Sequence, residues 1–271
     1  MMNVLSLNDP LKSVSSEELC SRIAPLQRDG IDLLCCQSIA HNLTSCGSVA
    51  VDDSRQLSKV LGLTCSCFAA GKQPGSVTTI EEQRTLKGLA ILTGTGVWTL
   101  NSGSFVVGDG ESEEVVLFAL VRKNGNSVLV LNLHLSPLAD QQEMQLAQLF
   151  QNPLLREPYG AVVLSANRAI SLSTQQWQRL SWPSLYGSQH LLSAPAGGDG
   201  LLCLLTTRYG AATEVNVSQS RIGLGPQDNS IPGLAFALDI KRCTKDRRSR
   251  PSFPLSFREQ WLGYRDSRAF A

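Results

Sequence analysis

Residues 128–135 read Val128-Leu-Val-Leu-Asn132-Leu-His134-Leu135, an apolar run that ends in an amide and an imidazole. A continuous apolar run of this length is typical of a strand that is covered on both faces. Upstream, Glu114–Arg122 has the same character, and the turn sequence Asn124-Gly-Asn126 lies between the two stretches. Because such turns join antiparallel neighbours, the sequence predicts a strand at Ser127–Leu135 that pairs with Glu114–Arg122 and carries His134 at its end.

On both sides of this hairpin, predicted strands are interspersed with helices. A capping box at Ser15–Glu18 predicts the start of the first helix. Further helices are predicted at Asp53–Leu61, Asp140–Phe150 and Ser173–Leu180. Strands are predicted at Asn3–Leu7, Leu33–Cys36, Leu63–Ala69, Leu89–Leu92, Val97–Val107, Gly160–Leu164, Leu201–Thr206, Thr213–Val217 and Leu234–Ile240. This order predicts an α/β architecture of two mixed sheets flanked by helices.

The composition limits the classes of protein that the chain fits. A chain of 271 residues with 42% apolar content can bury a substantial core as one domain. Lys plus Arg (24) nearly equals Asp plus Glu (23), so the chain as a whole has no field that attracts nucleic acid. No apolar run approaches the ~20 residues that span a bilayer, and no signal pattern opens the sequence. We therefore expect a cytoplasmic protein without a transmembrane segment, with one domain at residues 1–241 and a tail at residues 242–271.

The eight cysteines do not have the arrangement of a disulfide framework, and several lie inside apolar runs where a thiol packs as a small hydrophobic group. Cys65-Ser-Cys67 is the tightest pair, and strand alternation would place both thiols on one face, as a zinc site needs. No second Cys/His pair follows at ligand spacing. We therefore expect no zinc site.

The ends of the predicted strands carry short motifs in a defined order. They are Val4-Leu-Ser-Leu-Asn8, Ile31-Asp-Leu-Leu-Cys-Cys-Gln37-Ser38, Lys87-Gly-Leu-Ala-Ile-Leu92, residues 128–135, Val162-Val-Leu-Ser-Ala-Asn-Arg168 and Asp228-Asn-Ser-Ile-Pro232. Over residues 3–241 this order resembles the endonuclease/exonuclease/phosphatase superfamily, which includes DNase I, abasic-site endonucleases, sphingomyelinases, inositol-polyphosphate phosphatases and deadenylases. The resemblance implies a DNase I-like, four-layer αββα sandwich and a metal-dependent phosphodiesterase or phosphatase site at the strand ends.

Five positions match this family's site. The resemblance places Asn8 at the strand-end Asn that supports the metal and phosphate site, and Gln37 at the Gln of the second motif. It places Asn132 and His134 at the Asn and the first catalytic His of another strand end. Asp199 corresponds to the Asp of the family's Ile-Asp-Tyr-Ile strand. These residues are the part of the site that the sequence retains.

Two motifs lack the carboxylates that the family uses. The resemblance places Ser38 where the family has its metal-binding Glu. Ala166 and Arg168 stand at the Asp that orients or deprotonates water and at the Asn that holds the phosphate. Magnesium requires hard carboxylate oxygens, and neither a hydroxyl nor a methyl group replaces them. The departures therefore argue against metal-dependent hydrolysis.

The last motif departs from the family as well. Asn229 and Ser230 stand where the family has an Asp and a His, and Asp228 lies one residue ahead of the lost Asp. No histidine occurs after His190, so no small shift of the alignment supplies the missing imidazole.

Three functions are compatible with these motifs. The first is a catalytically inactive binding or scaffold module that contacts a protein partner through its pocket or its tail and needs no cofactor. The second is a divergent phosphoesterase whose rebuilt site uses Asp199, Asp228, His134 and Arg168, and only this hypothesis calls for Mg²⁺. The third is a binder of nucleic acid or an anionic surface.

Each retained residue also has a purely structural interpretation. His134, Asn8 and Gln37 can persist because polar groups at strand ends satisfy backbone hydrogen bonds, which needs no substrate. For Arg168, a guanidinium can bind a phosphate or carboxylate through a bidentate fork, or it can form an internal ion pair.

The third function rests on a basic segment. It carries six positive charges in ten residues, namely Lys241, Arg242, Lys245, Arg247, Arg248 and Arg250. Such a cluster contacts nucleic acid, an anionic lipid surface or an acidic partner, or it is a solvated linker after the last strand. The aromatic residues that follow, Trp261, Tyr264 and Phe270, predict that the tail docks on its own domain or on a partner.

Overall fold

The computed structural model describes residues 2–8, 30–42, 53–71, 85–157, 159–168, 186–193, 200–206, 220–221 and 233–238, together with single positions from 18 to 23 and from 170 to 180. Within these residues the continuous helices are α1 (Asp53–Leu61), α2 (Ala139–Gln151) and short 3-10 turns at Gly110–Ser112 and Pro153–Arg156. Glu18, Leu19, Ser21 and Ile23 are also helical, in the region where the capping box predicts the first helix. The strands are β1 (Met2–Asn8), β2 (Leu33–Asn42), β3 (Thr64–Ala70), β4 (Thr85–Thr93), β5 (Trp98–Val107), β6 (Glu114–Lys123), β7 (Asn126–Leu133), β8 (Ala161–Ala166), β9 (Tyr186–Ser193), β10 (Gly200–Thr206), β11 (Ser220–Arg221) and β12 (Gly233–Leu238).

The described strands form two mixed sheets of six strands each. The first has the order β11-β12-β1-β2-β4-β3, and the second has the order β5-β6-β7-β8-β10-β9. In the first sheet β1 runs parallel to β2 and antiparallel to β12. In the second sheet β7 runs parallel to β8 and antiparallel to β6. Each sheet therefore has a central parallel pair, whose carboxyl ends lie side by side.

The two sheets pack face to face between two layers of helix. Leu33 of β2, Val130 of β7 and Val163 of β8 belong to one core between the sheets. Helix α1 covers the outer face of the first sheet through Leu57, and α2 covers the outer face of the second through Leu146. The result is the αββα sandwich that the strand-end motifs implied.

The structure confirms most of the predicted elements. Helix α1 has the predicted bounds, and α2 extends the predicted helix Asp140–Phe150 by one residue at each end. Strand β9, at Tyr186–Ser193, was not predicted. The predicted strand Thr213–Val217, most of the predicted helix Ser173–Leu180 and the whole tail lie outside the described residues. No helix among the described residues is long and apolar enough to span a bilayer.

Strand β2 is longer than predicted and contains a bulge. Its register with β4 shifts between Cys36 and Ile39. Ser38, within this bulge, has a φ of 56°, in the left-handed region that costs a residue with a side chain about 1–2 kcal/mol. Opposite the bulge lies Gly88, where an added Cβ would be 2.0 Å from the carbonyl oxygen of Ala69. The close approach of β3 and β4 therefore requires glycine at this position.

A second bulge lies within the cysteine pair. The register of β3 with β4 shifts between Cys65 and Cys67, so Cys65 pairs with Leu92 and Cys67 with Ile91. Cys67 packs against the core between the sheets. The simple alternation on which the expectation of a shared face rested is therefore interrupted between the two cysteines, and the side chain of Cys65 lies outside the described part.

Candidate functional site

The inner faces of four central strands change from apolar to polar toward one end of the sandwich. The successive inward residues are Met2, Val4, Ser6 and Asn8 on β1, Leu33, Cys35 and Gln37 on β2, Val128, Val130, Asn132 and His134 along β7, and Ala161, Val163, Ser165 and Asn167 along β8. Because side chains alternate along a strand, the same period that builds the core also brings the polar groups together. The candidate site is the polar end of this inner layer.

A buried hydrogen-bond network joins the two sheets beneath the site. The hydroxyls of Ser6 and Ser165 are 2.7 Å apart. The Nε2 atom of Gln37 donates to Asn132 Oδ1 at 2.6 Å and to Ser165 Oγ at 2.9 Å. All four side chains are fully buried. Since an unpaired polar group is costly in such a position, these residues constrain one another.

Asn132 also supports the bulge in β2. Its Nδ2 atom donates to the carbonyl oxygens of Cys36 at 2.8 Å and Ala90 at 3.0 Å. Cys36 and Ala90 are the last paired residues of β2 and β4 before the register shifts. The amide of Asn132 therefore holds the backbone that places Gln37 and Ser38.

Burial in the same layer perturbs one thiol. The pKa of Cys35 is raised to about 12, chiefly because the fully buried thiolate would lose its hydration, and a hydrogen bond with Ser165 opposes the shift. Cys35 therefore remains a neutral thiol at physiological pH and serves as part of the core.

Asn8 and Asn167 form the rim of the site. Asn8 Nδ2 donates to the backbone carbonyl of Asn167 at 3.3 Å, and the backbone N–H of Leu135 donates to Asn167 Oδ1 at 2.8 Å. These bonds connect the end of β1 to the end of β8, and the end of β8 to the loop after β7. The backbone N–H of Leu135 thus fixes the side-chain oxygen of Asn167.

Ser38 contacts His134 across the two sheets. The Ser38 hydroxyl lies 3.3 Å from His134 Nε2, and the tautomer of the imidazole decides which group donates. Both side chains are half-buried. At the position where the resemblance implies a metal-binding carboxylate, the structure has a hydroxyl directed at the imidazole.

A cavity of about 220 Å³ adjoins this pair on the side of the second sheet. Its lining is predominantly polar and consists of Ser112, Glu114, His134, Leu135, Ser136, Pro137, Gln141, Gln145, Asn167 and Arg168. Arg168 brings a guanidinium and Glu114 a carboxylate, so the cavity carries one charge of each sign. It is large enough to hold a small polar group.

Hydrogen bonds within the cavity wall fix its shape. The backbone N–H of Ser136 donates to Gln145 Oε1 at 3.0 Å, and Gln145 Nε2 donates to the carbonyl of Ser112 at 2.8 Å. Gln142 Nε2 donates to the carbonyl of Ser136 at 2.7 Å. Helix α2 thereby holds both the loop that follows His134 and the turn before β6.

The structure corrects the residue assignments on β8 by one position. Ala166 lies in the outer core under α2, together with Val162 and Leu164, and does not line the site. Ser165 points inward, and Asn167 lies on the rim where the sequence alignment had placed Arg168. The prediction that Ala166 occupies the pocket is therefore wrong. The inward sequence is Ser165 followed by Asn167, which retains the amide but not the carboxylate of the family motif.

Five of the other predicted site residues lie together at the strand ends, Arg168 lies at the cavity, and the remaining ones lie outside the described part. Asn8, Gln37, Ser38, Asn132 and His134 surround the site, and Arg168 is exposed at the cavity. Asp199, Asp228, Asn229 and Ser230 lie outside the described residues. Sequence reasoning missed Ser6, Ser165, Asn167, Glu114 and Gln145. For Ser6, Ser165 and Asn167, the period of two along β1 and β8 was the signal that would have found them.

The described side chains do not fit a magnesium ion. Magnesium prefers carboxylate oxygens in octahedral geometry. The strand ends offer the hydroxyls of Ser38 and Ser165, the amides of Asn8 and Asn167, and the imidazole of His134. Among the described residues, no three His, Cys, Asp or Glu side chains are grouped so that they could hold a metal ion.

Solved structures share this architecture. D. rerio TDP2, humanized by 14 mutations, superposes with a TM-score of 0.58 at 14% identity, covering 88% of this chain and 98% of that one. An endonuclease/exonuclease/phosphatase from Beutenbergia cavernae gives a TM-score of 0.56 at 14% identity, with 89% and 72% covered. The human Nocturnin catalytic domain, solved with a bound sulfate anion, gives 0.56 at 14% identity, with 88% and 92% covered.

These likenesses show the fold. The chain has the DNase I-like α/β sandwich of endonuclease/exonuclease/phosphatase proteins, as the strand-end motifs implied. No family model and no curated protein matches the sequence.

Proposed function

We propose that the chain is a binding module built on the endonuclease/exonuclease/phosphatase fold and that it does not carry out metal-dependent phosphoester hydrolysis. The observation that carries the proposal is the contact of Ser38 with His134, 3.3 Å apart, at the position of the family's metal-binding Glu. Ser165 gives a second hydroxyl on the inward face of β8. Without these two carboxylates the site holds neither the metal nor the charge that the phosphoester transition state needs.

The proposed ligand is a small anionic group, a phosphate or a carboxylate, bound in the cavity beside His134. Arg168 supplies a planar fork that matches such a group, and Asn167 lies beside it on the rim. Glu114 limits the negative charge that the cavity accepts, because its carboxylate repels a second negative charge. We therefore expect recognition of one anionic group carried on a larger ligand or a partner protein.

Metal titration tests the first part of the proposal. Thermal unfolding of the full chain is followed while Mg²⁺ or Mn²⁺ is added, since a ligand that binds the native state raises the midpoint. We expect no shift in the native sequence. The double substitution Ser38→Glu with Ser165→Asp restores two carboxylates and serves as the positive control. A metal-induced shift in the native chain that disappears in Asn8→Ala or His134→Ala would contradict the proposal.

Anion titration tests the second part. Inorganic phosphate at about ten times its dissociation constant stabilises the native state by about 1.4 kcal/mol, which raises the midpoint by about 3–6 °C. Arg168→Gln should abolish the shift. Arg156→Gln, which removes an exposed guanidinium outside the cavity, is the matched control and should retain it. Equal loss in both variants would show non-specific ion binding.

A second candidate function, a divergent phosphoesterase, is favoured by one observation. Glu114 places a carboxylate in the same cavity as His134 and Arg168. This combination offers a general base or acid together with a cation, and Asp199 or Asp228 would complete a Mg²⁺ site in that hypothesis. Turnover of a generic phosphomonoester or phosphodiester that is lost in both Glu114→Gln and Asp228→Ala would establish it in place of the binding module.

A further inference from the structure

Strand β5 forms one edge of the second sheet within the described part of the chain, with β6 as its neighbour. Its ten residues, Trp-Thr-Leu-Asn-Ser-Gly-Ser-Phe-Val-Val, include no charged side chain and no proline. Natural proteins protect sheet edges with charges, prolines, bulges or short strands, because an open edge pairs with another strand. Here a bulge at Leu100 is the protective feature, and Asn101–Val107 continues beyond it in regular register with β6.

This edge also carries exposed apolar surface. Trp98 is 70% exposed, Leu100 43% and Val106 37%. They are three of the five large hydrophobic residues that the described part exposes. Because they lie on one strand, they indicate an interaction surface. The faces of the strand differ, since Phe105 packs toward the core under α2 while Ser104 is exposed on the opposite face.

We propose that β5 pairs antiparallel with β5 of a second copy of this chain, across a twofold axis perpendicular to the sheet. The two second sheets would then form one continuous sheet of twelve strands. Rotation about this axis keeps equivalent faces of the two sheets on the same side. The α2 helices of both copies therefore lie on one face of the joint sheet.

A second copy fits this edge better than a charged partner does. The strand has no charge with which to select an acidic or basic segment, whereas two uncharged strands pair without repulsion. The net charge of the whole chain is only +1, so two copies do not repel each other over a distance. The backbone groups of the ladder supply the attraction, and the exposed apolar side chains add to it.

The longest regular register places the axis at Ser104. Asn101 then lies opposite Val107, Ser102 opposite Val106, and Gly103 opposite Phe105, so each pair shares a face. The pairing of glycine with an aromatic residue across strands is favourable, because the ring covers backbone that glycine leaves exposed. A ladder of this length is small for an interface, so we expect reversible, concentration-dependent dimerisation.

Sedimentation of the full chain over a wide range of concentrations tests the proposal. We expect the mass to rise from 29.3 kDa toward twice that value. Ser104→Lys places two cations side by side at the axis and should weaken dimerisation by about two- to fivefold. Val60→Lys adds the same charge at a side chain that is 46% exposed on α1, and it should dimerise like the native chain.

Disulfide trapping tests the register. Ser104→Cys should give an oxidised dimer in which the peptide containing position 104 is linked to itself, and Ser102→Cys, opposite Val106, should give much less. A native chain that stays at 29.3 kDa at every concentration overturns the proposal. This holds whether hydrogen exchange shows the β5 amides to be open to solvent or covered by another segment. Undiminished dimerisation of Ser104→Lys, an equal loss in Val60→Lys, or a dimer without the self-linked peptide also overturns it.

Discussion

The strongest test of the site's architecture is removal of the Asn132 amide. In the native chain this fully buried side chain donates to the carbonyls of Cys36 and Ala90 and accepts a hydrogen bond from Gln37. Asn132→Ala deletes all three bonds and leaves two carbonyls and one N–H group without this partner in a dry interior. If Asn132 served only a substrate, its removal would barely change stability.

The expected loss follows from the number of bonds. A neutral buried hydrogen bond contributes about 1 kcal/mol, and a partner left unsatisfied costs about 1–3 kcal/mol. Because the two carbonyls have a second lone pair and β4 remains in place, we take the lower part of this range for each. The free energy of unfolding should therefore fall by about 3–4 kcal/mol, which corresponds to a midpoint lower by about 6–16 °C.

Urea unfolding of the purified chain measures this change. The midpoint should fall at a constant slope, since the surface exposed on unfolding is unchanged. Gln151→Ala, which removes an exposed amide at the end of α2, is the control and should stay within about 0.5 kcal/mol. A loss below about 1 kcal/mol for Asn132→Ala would refute the structural role of this amide.

A double-mutant cycle separates the pair from its surroundings. Among the described residues, Gln37 Oε1 has no hydrogen-bond donor, so the glutamine is itself a costly group to bury. Gln37→Leu combined with Asn132→Leu should be less destabilising than the sum of the single changes by about 1 kcal/mol or more, because each single change removes the hydrogen bond between Gln37 Nε2 and Asn132 Oδ1 and leaves one of these two atoms without that partner. Simple additivity would show that the two amides do not interact.

Three further outcomes are expected. Gly88→Ala should lower the free energy of unfolding by more than about 2 kcal/mol, since its Cβ would lie 2.0 Å from the carbonyl of Ala69, whereas Gly71→Ala, with no atom closer than 3.5 Å, should be tolerated in the same urea assay. Stability should fall by about 1–2 kcal/mol between about pH 8 and pH 10, because burial raises the pKa of Cys35 to about 12 and the unfolded thiol therefore loses its proton first; Cys35→Ala should flatten this dependence in urea titrations at both pH values. If the basic segment at residues 241–250 binds single-stranded nucleic acid, affinity measured by fluorescence anisotropy should fall about 20- to 100-fold between about 50 and 200 mM salt, and salt-independent binding would exclude that role.

Elements with a strong local signal were predicted well from the sequence. Helix α1 follows from apolar residues at helical spacing, and its bounds agree with the structure. The β6–β7 hairpin follows from two apolar runs around Asn124-Gly-Asn126, and its register agrees with a tight turn there. In both cases the residues that determine the element lie within the element, so no distant contact is needed to predict it.

Strand β9 and the bulge in β2 depend instead on distant partners. The sequence of β9, Tyr-Gly-Ser-Gln-His-Leu-Leu-Ser, has little alternation, and the strand exists because it pairs antiparallel with β10 at the sheet edge. The bulge at Gln37 and Ser38 is held by the amide of Asn132 from the other sheet. A contact between residues about a hundred positions apart leaves no local pattern.

For the strand-end residues, the motif comparison and the structure differ by one position on β8. Comparing motifs assigned Ala166 and Arg168 to functional positions, but a motif of four residues aligns almost equally well one residue earlier. Packing removes the ambiguity, because Ala166 belongs to the outer core with Leu164 while Ser165 bonds to Gln37. Side chains alternate along a strand, so the apolar residues at 162 and 164 already indicate that residue 166 shares their outward face and that residue 165 faces inward.

The buried network gives the strand-end amides a structural role that does not depend on a substrate. Gln37 and Asn132 bond to each other and to the backbone at the bulge, so their loss would destabilise the sandwich whether or not a substrate is bound. A carboxylate in the place of Ser38 or Ser165 has no such structural function. Without a metal to neutralise it, its charge would be costly to bury at this position. Under the proposed binding function, the amides therefore remain necessary for packing, whereas carboxylates at these positions would have no structural role. Retention of strand-end amides is thus evidence for the fold, while the carboxylates are the residues that report on catalysis.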